Sequence, residues 1–251
     1  LYVNGKMVQG LDVNHTEYIL ENDTEYKVHI YYYSGLFNEE YNVKLKVMTS
    51  DLRIEKMYYD FKTAYDAAML FEDEDYKHTE TIKHLNIAAQ YLDFTEPYSD
   101  NFFNGAKEAC RYLEENYYGQ YPPHEATVDC VGHTHIDVAW MWTYAQTKEK
   151  VQRSFSTVVE LMKRYPEYRF TISQPQLLEY LKEESPEIYD EIKKLVKEGR
   201  IDIEGAMWVE ADCNLPSGES LIRQIIWGKK FIKDEFCTDS KVLWLPDVFG
   251  Y

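Results

Sequence analysis

The sequence predicts an α/β protein whose second half is built from repeated β-α units. Two observations carry this prediction. From residue 124 onward, short β-forming runs alternate with longer stretches of helical periodicity, and each run ends in polar or aromatic residues. Before residue 124 there is no such alternation: a β-rich start gives way to a section that reads as helix throughout. Repeated β-α units imply parallel strands with helices outside, in either an open doubly wound sheet or a (β/α) barrel.

Taken in order, residues 1–50 read as β structure. Asn4-Gly5 is a hairpin-type turn signal between Leu1-Tyr-Val3 and Met7-Val8. Residues 26–33 are rich in β-formers, and residues 41–47 alternate apolar and polar side chains with the period of a half-buried strand. The aromatics of this part are expected to pack a sandwich core and its edges rather than a sugar-binding surface. From about 51 to 118 the pattern is helical, with Tyr58, Phe61, Tyr65, Ala68 and Met69 at helix-face spacings, then Ile82, Leu85, Ala89 and Leu92, then Ala106, Cys110 and Leu113. The acidic run at 72–75 is a solvated turn, and Pro122-Pro123 marks a boundary.

Four strands are then expected at 127–132, 169–173, 201–205 and 241–245. Between them lie helices at 146–165, with Val151, Phe155, Val158 and Met162 inward, at 177–182 and 188–197, and at 217–235. Gly199 reads as a C-cap glycine and Ser217 as a helix start.

Composition restricts the partners. A net charge of −17 opposes nucleic acid and anionic membrane surfaces, and no apolar stretch is long enough to span a bilayer. The cysteines, Cys110, Cys130, Cys213 and Cys237, form no Cys-x-x-Cys pair; Cys130 and Cys213 are expected to be reduced and buried. The chain starts without methionine and reads as a segment of something longer.

In parallel α/β folds, chemistry gathers at the C-terminal ends of strands. His133, His135 and Asp137 alternate at the end of the first strand, so extended backbone would turn all three to one side. Imidazole nitrogen with carboxylate oxygen suits zinc and related divalent ions. Asp247 stands in an apolar run with no basic neighbour, where a buried carboxylate needs a positive partner. Ser173 and Gln174 end the second strand, and Glu204, Glu210 and Asp212 follow the third.

His133-Thr-His-Ile-Asp137 with Trp140, Gly205-Ala-Met-Trp-Val-Glu-Ala-Asp212, Ser217-Gly-Glu-Ser-Leu-Ile-Arg-Gln224 and Trp244-Leu-Pro-Asp-Val-Phe-Gly250 occur in this order. Together they resemble the family 38 glycoside hydrolases, the retaining class II α-mannosidases, over residues 124–251. Leu1-Tyr-Val-Asn-Gly-Lys6 and Gln9-Gly-Leu-Asp-Val-Asn-His15 resemble the accessory β domain of the bacterial and cytosolic type.

The resemblance implies part of an accessory β-sandwich at 1–50, a helical linker section at 51–123, and an incomplete (β/α) barrel-like catalytic domain, its first four β-α units, at 124–251. It implies zinc or another divalent ion, one per site, held by His135, Asp137 and Asp247. Asp247 would also be the nucleophile, with Trp140 and Phe249 as aromatic walls for the sugar and His133 in a supporting role. Glu210 and Asp212 receive no role beyond shaping the site.

A mannose-containing oligosaccharide would be the substrate, cleaved through a covalent mannosyl-aspartate, in a cytoplasmic and homo-oligomeric enzyme. A further histidine ligand and an acid/base carboxylate belong to the family pattern beyond these motifs, so the 251-residue segment alone is expected to be inactive. Two other readings are an amidohydrolase-type barrel, which needs later histidines although none follows His135, and a non-catalytic carbohydrate-binding module.

Overall fold

A computed structural model describes residues 1–20, 25–32, 40–120 and 127–250. Contacts divide the chain into two compact units, Leu1–Phe37 with Val128–Tyr251, and Asn38–Thr127.

The chain opens with a hairpin, β1 (Tyr2–Val3) and β2 (Lys6–Met7). Asn4 and Gly5 take φ of 51° and 81°, the left-handed pair that a two-residue turn of matching twist requires. β3 (Val28–His29) pairs antiparallel with β1 on its other side, giving the order β2-β1-β3. The first aromatics do not fill a core. Tyr31 and Tyr32 are exposed, while Tyr31 packs edge-on against Tyr2 with ring centres 5.0 Å apart. Tyr33, at the end of the expected strand, lies outside the described residues.

The half-buried strand expected at 41–47 is not formed. Val43, Leu45 and Val47 are exposed, and residues 40–50 belong to no strand. Alternation supplies one apolar face, but a strand also needs a neighbour to pair its backbone, and none adjoins this stretch among the described residues.

The unit Asn38–Thr127 is a helical hairpin plus one: α1 (Leu52–Ala68), α2 (Tyr76–Ala89) and α3 (Asp100–Asn116). Asp51, Asp75 and Ser99 cap their N-termini by accepting backbone N–H bonds. Ala64, Leu85, Ala88, Ala109 and Leu113 form the core, with Phe61, Ile82 and Leu92 packed on it. The inward stripe of α1 is therefore Phe61, Ala64 and Ala68, whereas Tyr58, Tyr65 and Met69 are exposed. Small alanines let the helices approach, and the tyrosines take the flank where a polar tip stays wet.

In the other unit, β4 (Gly132–His133), β5 (Phe170–Ile172) and β6 (Ile201–Ile203) lie parallel in chain order. α4 (Tyr144–Arg164) connects the first two, and α5 (Pro175–Glu184) with α6 (Pro186–Lys197) connects the next. α7 (Gly218–Phe236) follows β6, and Leu243 then bridges in parallel to Gly205. The starts of α4 and α7 are set by local chemistry: a Thr143–Gln146 capping box and the Ser217 cap. Val151, Phe155, Val158 and Met162 are buried as their spacing predicts, against Phe170, Ile172, Leu178 and Ile201. The N-terminal segment joins this unit directly, where the Gly10 N–H donates to Thr157 Oγ1 of α4 at 3.1 Å.

The first strand is shorter than expected, and the fourth, expected at 241–245, is not formed beyond the single bridge at Leu243. Gly132 registers with Phe170, so residues 128–131 fall opposite 166–169, the turn that leaves α4. No extended neighbour exists there among the described residues, and Val128 and Val131 are exposed. Cys130 shares this exposed stretch and Cys213 is half-buried, contrary to the expectation of burial; all four thiols are free. Cys110 is the buried one, and burial with the nearby Asp60 pushes its thiol up to about 11. The chain is a mixed α/β protein, and among the described residues no helix is long and apolar enough to cross a membrane.

Candidate active site

The site is assembled where β4, β5 and β6 end. Gly205 makes the approach of two of these ends feasible. At φ 121°, its missing Cβ would lie 2.4 Å from the Ser173 carbonyl oxygen, so any side chain would push the β5 and β6 ends apart. Gln174, buried after β5, clamps both neighbours: its Nε2 donates to the Ile136 carbonyl at 3.0 Å, and its Oε1 accepts the Glu210 N–H at 3.3 Å.

Glu210 is thereby carried into the interior, with 2% of its side chain exposed. Its two oxygens serve different partners. Oε2 accepts from His135 Nδ1, and Oε1 accepts from the Ser173 hydroxyl at 2.5 Å. Ser173 Oγ also lies 2.8 Å from His133 Nε2, and the His133 ring packs against Trp244 with centres 5.2 Å apart.

The far side of His135 faces the other candidate ligands. Its Nε2 stands 3.2 Å from Asp137 Oδ1 and 3.9 Å from Asp247 Oδ2. The structure thus brings His135, Asp137 and Asp247 together and turns His133 toward Ser173. Asp247 reaches the group without being buried: 76% of its side chain is exposed. The expectation that burial made it costly is corrected here, since water solvates the carboxylate on its open side. Trp140 and Phe249 are 65% and 77% exposed, so both present free ring surface.

The charges shape the imidazoles in opposite directions. Burial lowers the pKa of His133, helped by His135 and opposed by Glu210. Burial also disfavours charge on His135, but Glu210 and Asp137, through charge and hydrogen bonds, outweigh it and raise the pKa.

Nitrogen plus two carboxylate oxygens is a donor set suited to zinc. Two donors on one tetrahedral zinc ion stand roughly 3.4 Å apart, given bonds of about 2.1 Å. The 3.2 and 3.9 Å separations around His135 Nε2 bracket that value, so the residues fit the ion pair by pair. Among the described residues, no group of three or more His, Cys, Asp or Glu side chains is gathered closely enough to hold a metal ion as it stands.

The sequence pattern pointed to the strand ends and to Ser173 and Gln174, yet left Glu210 without a partner. The available signal was an acid within the apolar run Met207-Trp-Val, two residues beyond Trp208. A surface hollow of about 290 Å³, lined by Trp208, Arg223, Gln224 and Trp227, contains none of the candidate ligands, whereas one of about 490 Å³ is lined by His133, His135 and Trp142 among others.

Comparison with known proteins gives a consistent result. The family described as glycosyl hydrolases family 38 N-terminal domain matches residues 125–251. Alpha-mannosidase G of Dictyostelium discoideum is 34% identical over 209 residues, covering 83% of this chain and 19% of that protein. Alpha-mannosidase of Saccharomyces cerevisiae is 32% identical over 225 residues, 83% of this chain and 20% of that protein. Human Alpha-mannosidase 2C1 is 38% identical over 168 residues, 66% of this chain and 16% of that protein. The chain thus spans at most 20% of the length of these relatives.

Proposed function

Since this chain belongs to glycosyl hydrolase family 38, we propose that it supplies the nucleophile and most of the metal ligands of a retaining, zinc-dependent α-mannosidase. Its substrate would be the terminal α-mannosides of oligosaccharides or glycans. The observation that carries this reading is the meeting of His135 Nε2 with Asp137 at 3.2 Å and Asp247 at 3.9 Å, although Asp247 belongs to a different β-α unit. The relatives' names supply the substrate class.

His135, Asp137 and Asp247 would hold the zinc, which when bound grips neighbouring hydroxyls of the mannose and favours a distorted ring. Asp247 has the exposure a nucleophile needs. One of its oxygens attacks the anomeric carbon, the bond to the leaving oxygen breaks, and that oxygen takes a proton from an acid carboxyl. Water then cleaves the mannosyl-aspartate ester with overall retention. Trp140 and Phe249 offer apolar faces against which the sugar's C–H surface can stack. Glu210, which meets Nδ1 on the side of His135 away from Asp137 and Asp247, keeps the ring oriented throughout.

The four β-α units would be the first part of a (β/α) barrel-like catalytic domain, in a cytoplasmic protein. No histidine follows His135 in the 251 residues, so a histidine ligand of the family pattern has no candidate here. The 251-residue chain by itself is therefore expected to show no turnover of an aryl α-mannoside with added zinc. In the active protein that carries this chain, a fluorinated mannosyl substrate that arrests on its nucleophile is expected to label Asp247. D247N should lower kcat by roughly a thousandfold or more, as loss of a covalent nucleophile does. Label on another carboxylate, or a D247N protein with near-normal kcat, would refute the assignment.

A further inference from the structure

We infer that Glu210 is a positioning residue: it fixes the tautomer and tilt of His135 so that Nε2 alone is presented to the metal. The inference rests on the reading of His135 as a zinc ligand and deepens it. An ionised carboxylate only accepts hydrogen bonds, so the nitrogen that meets Glu210 Oε2 must carry the proton. That nitrogen is Nδ1; Nε2, which meets Asp137 at 3.2 Å and faces Asp247 at 3.9 Å, is then the nitrogen that gives up its hydrogen to take a metal ion.

Glu210 is itself held against rotation. Its Oε1 accepts the Ser173 hydroxyl at 2.5 Å, and its backbone N–H is clamped by the buried Gln174 at 3.3 Å. Because the Ser173 proton is committed to Glu210, Ser173 Oγ must accept from His133 Nε2–H at 2.8 Å. The carboxylate therefore sets two histidines at once, with Nδ1–H on His135 and Nε2–H on His133. A buried carboxylate behind a histidine ligand raises its basicity and fixes its aim, and loss of such a partner typically costs about 10–100-fold in metal affinity.

The test uses the active protein that carries this chain, with 15N-labelled histidine, in wild-type, E210A and E210Q forms. In metal-free wild type, two-dimensional 15N spectra should show His135 carrying hydrogen on Nδ1. E210A should lose that fixed pattern and bind zinc about tenfold or more weaker in competition with a chromophoric chelator. Gln offers one acceptor where two donors converge, so E210Q should fall between the two. Should E210A fail to fold, E210Q decides: a protein indistinguishable from wild type in both measurements overturns the inference. A wild type that binds no zinc refutes the metal reading, yet the nitrogen spectra still decide Glu210. His135 protonated only on Nε2, or unchanged by E210A, would sink its role.

Discussion

Replacing Glu235 with Gln tests how the helices behind the sheet are tied together. Near the end of α7, Glu235 Oε1 accepts from Lys182 of α5 at 2.7 Å, while Oε2 accepts from the Tyr189 hydroxyl at 2.8 Å and from Lys193 of α6 at 3.2 Å. Lys182, then Tyr189 and Lys193, overcome partial burial and hold the carboxyl at about 2, down from the ordinary 4.5. The full shift would correspond to about 3 kcal/mol. Both lysines are more than a third exposed, so solvent screening reduces this to about 1–2 kcal/mol.

Because the folded value lies below the unfolded one, the contribution is present above pH 4.5 and is lost as pH falls toward 2. At pH 7, E235Q should therefore unfold about 2–6 °C lower than wild type. The gap should shrink steadily between pH 5 and pH 2. Thermal unfolding followed by far-ultraviolet circular dichroism, repeated across that range, reads both. A gap below about 0.5 °C at pH 7, or one that persists undiminished at pH 2, would refute the reasoning.

Three further outcomes follow from the site. G205A should destabilise by about 2–4 kcal/mol, because the left-handed φ of 121° and the 2.4 Å approach to the Ser173 carbonyl leave no room for a Cβ; urea unfolding at the stability of wild type would contradict it. In the active protein, chelation should abolish mannoside hydrolysis and zinc should restore it. D137N should raise the zinc needed for half-maximal activity by about tenfold or more, and activity indifferent to chelators would exclude the metal's role.

How much was legible in advance depends on how local the cause is. Caps and turns are decided within a few residues, so the Asn4-Gly5 hairpin and the Ser217 helix start agree with the sequence pattern. The inward face of α4 was equally readable, since one continuous apolar stripe admits one solution. α1 was less so, because alanines and tyrosines both fit helical spacing and only the neighbouring helices select Ala64 and Ala68.

Strand extent was the least legible feature. A β-former becomes a strand only where another backbone lies in register, and 41–47 and 128–131 have none among the described residues. Side-chain alternation records which faces are apolar and carries no information about whether a partner arrives.

By itself, the sequence determined the α/β alternation, the helix starts, and the cluster His133-Thr-His-Ile-Asp137 with Asp247 as a distant candidate. Only the tertiary structure decided which of these meet. It brought Asp247 to 3.9 Å from His135, turned His133 away to Ser173, and buried Glu210 behind His135. The physical reason is the range of the forces involved. Backbone preferences act over a few residues, whereas a buried carboxylate finds its donors only after several strand ends have been packed side by side.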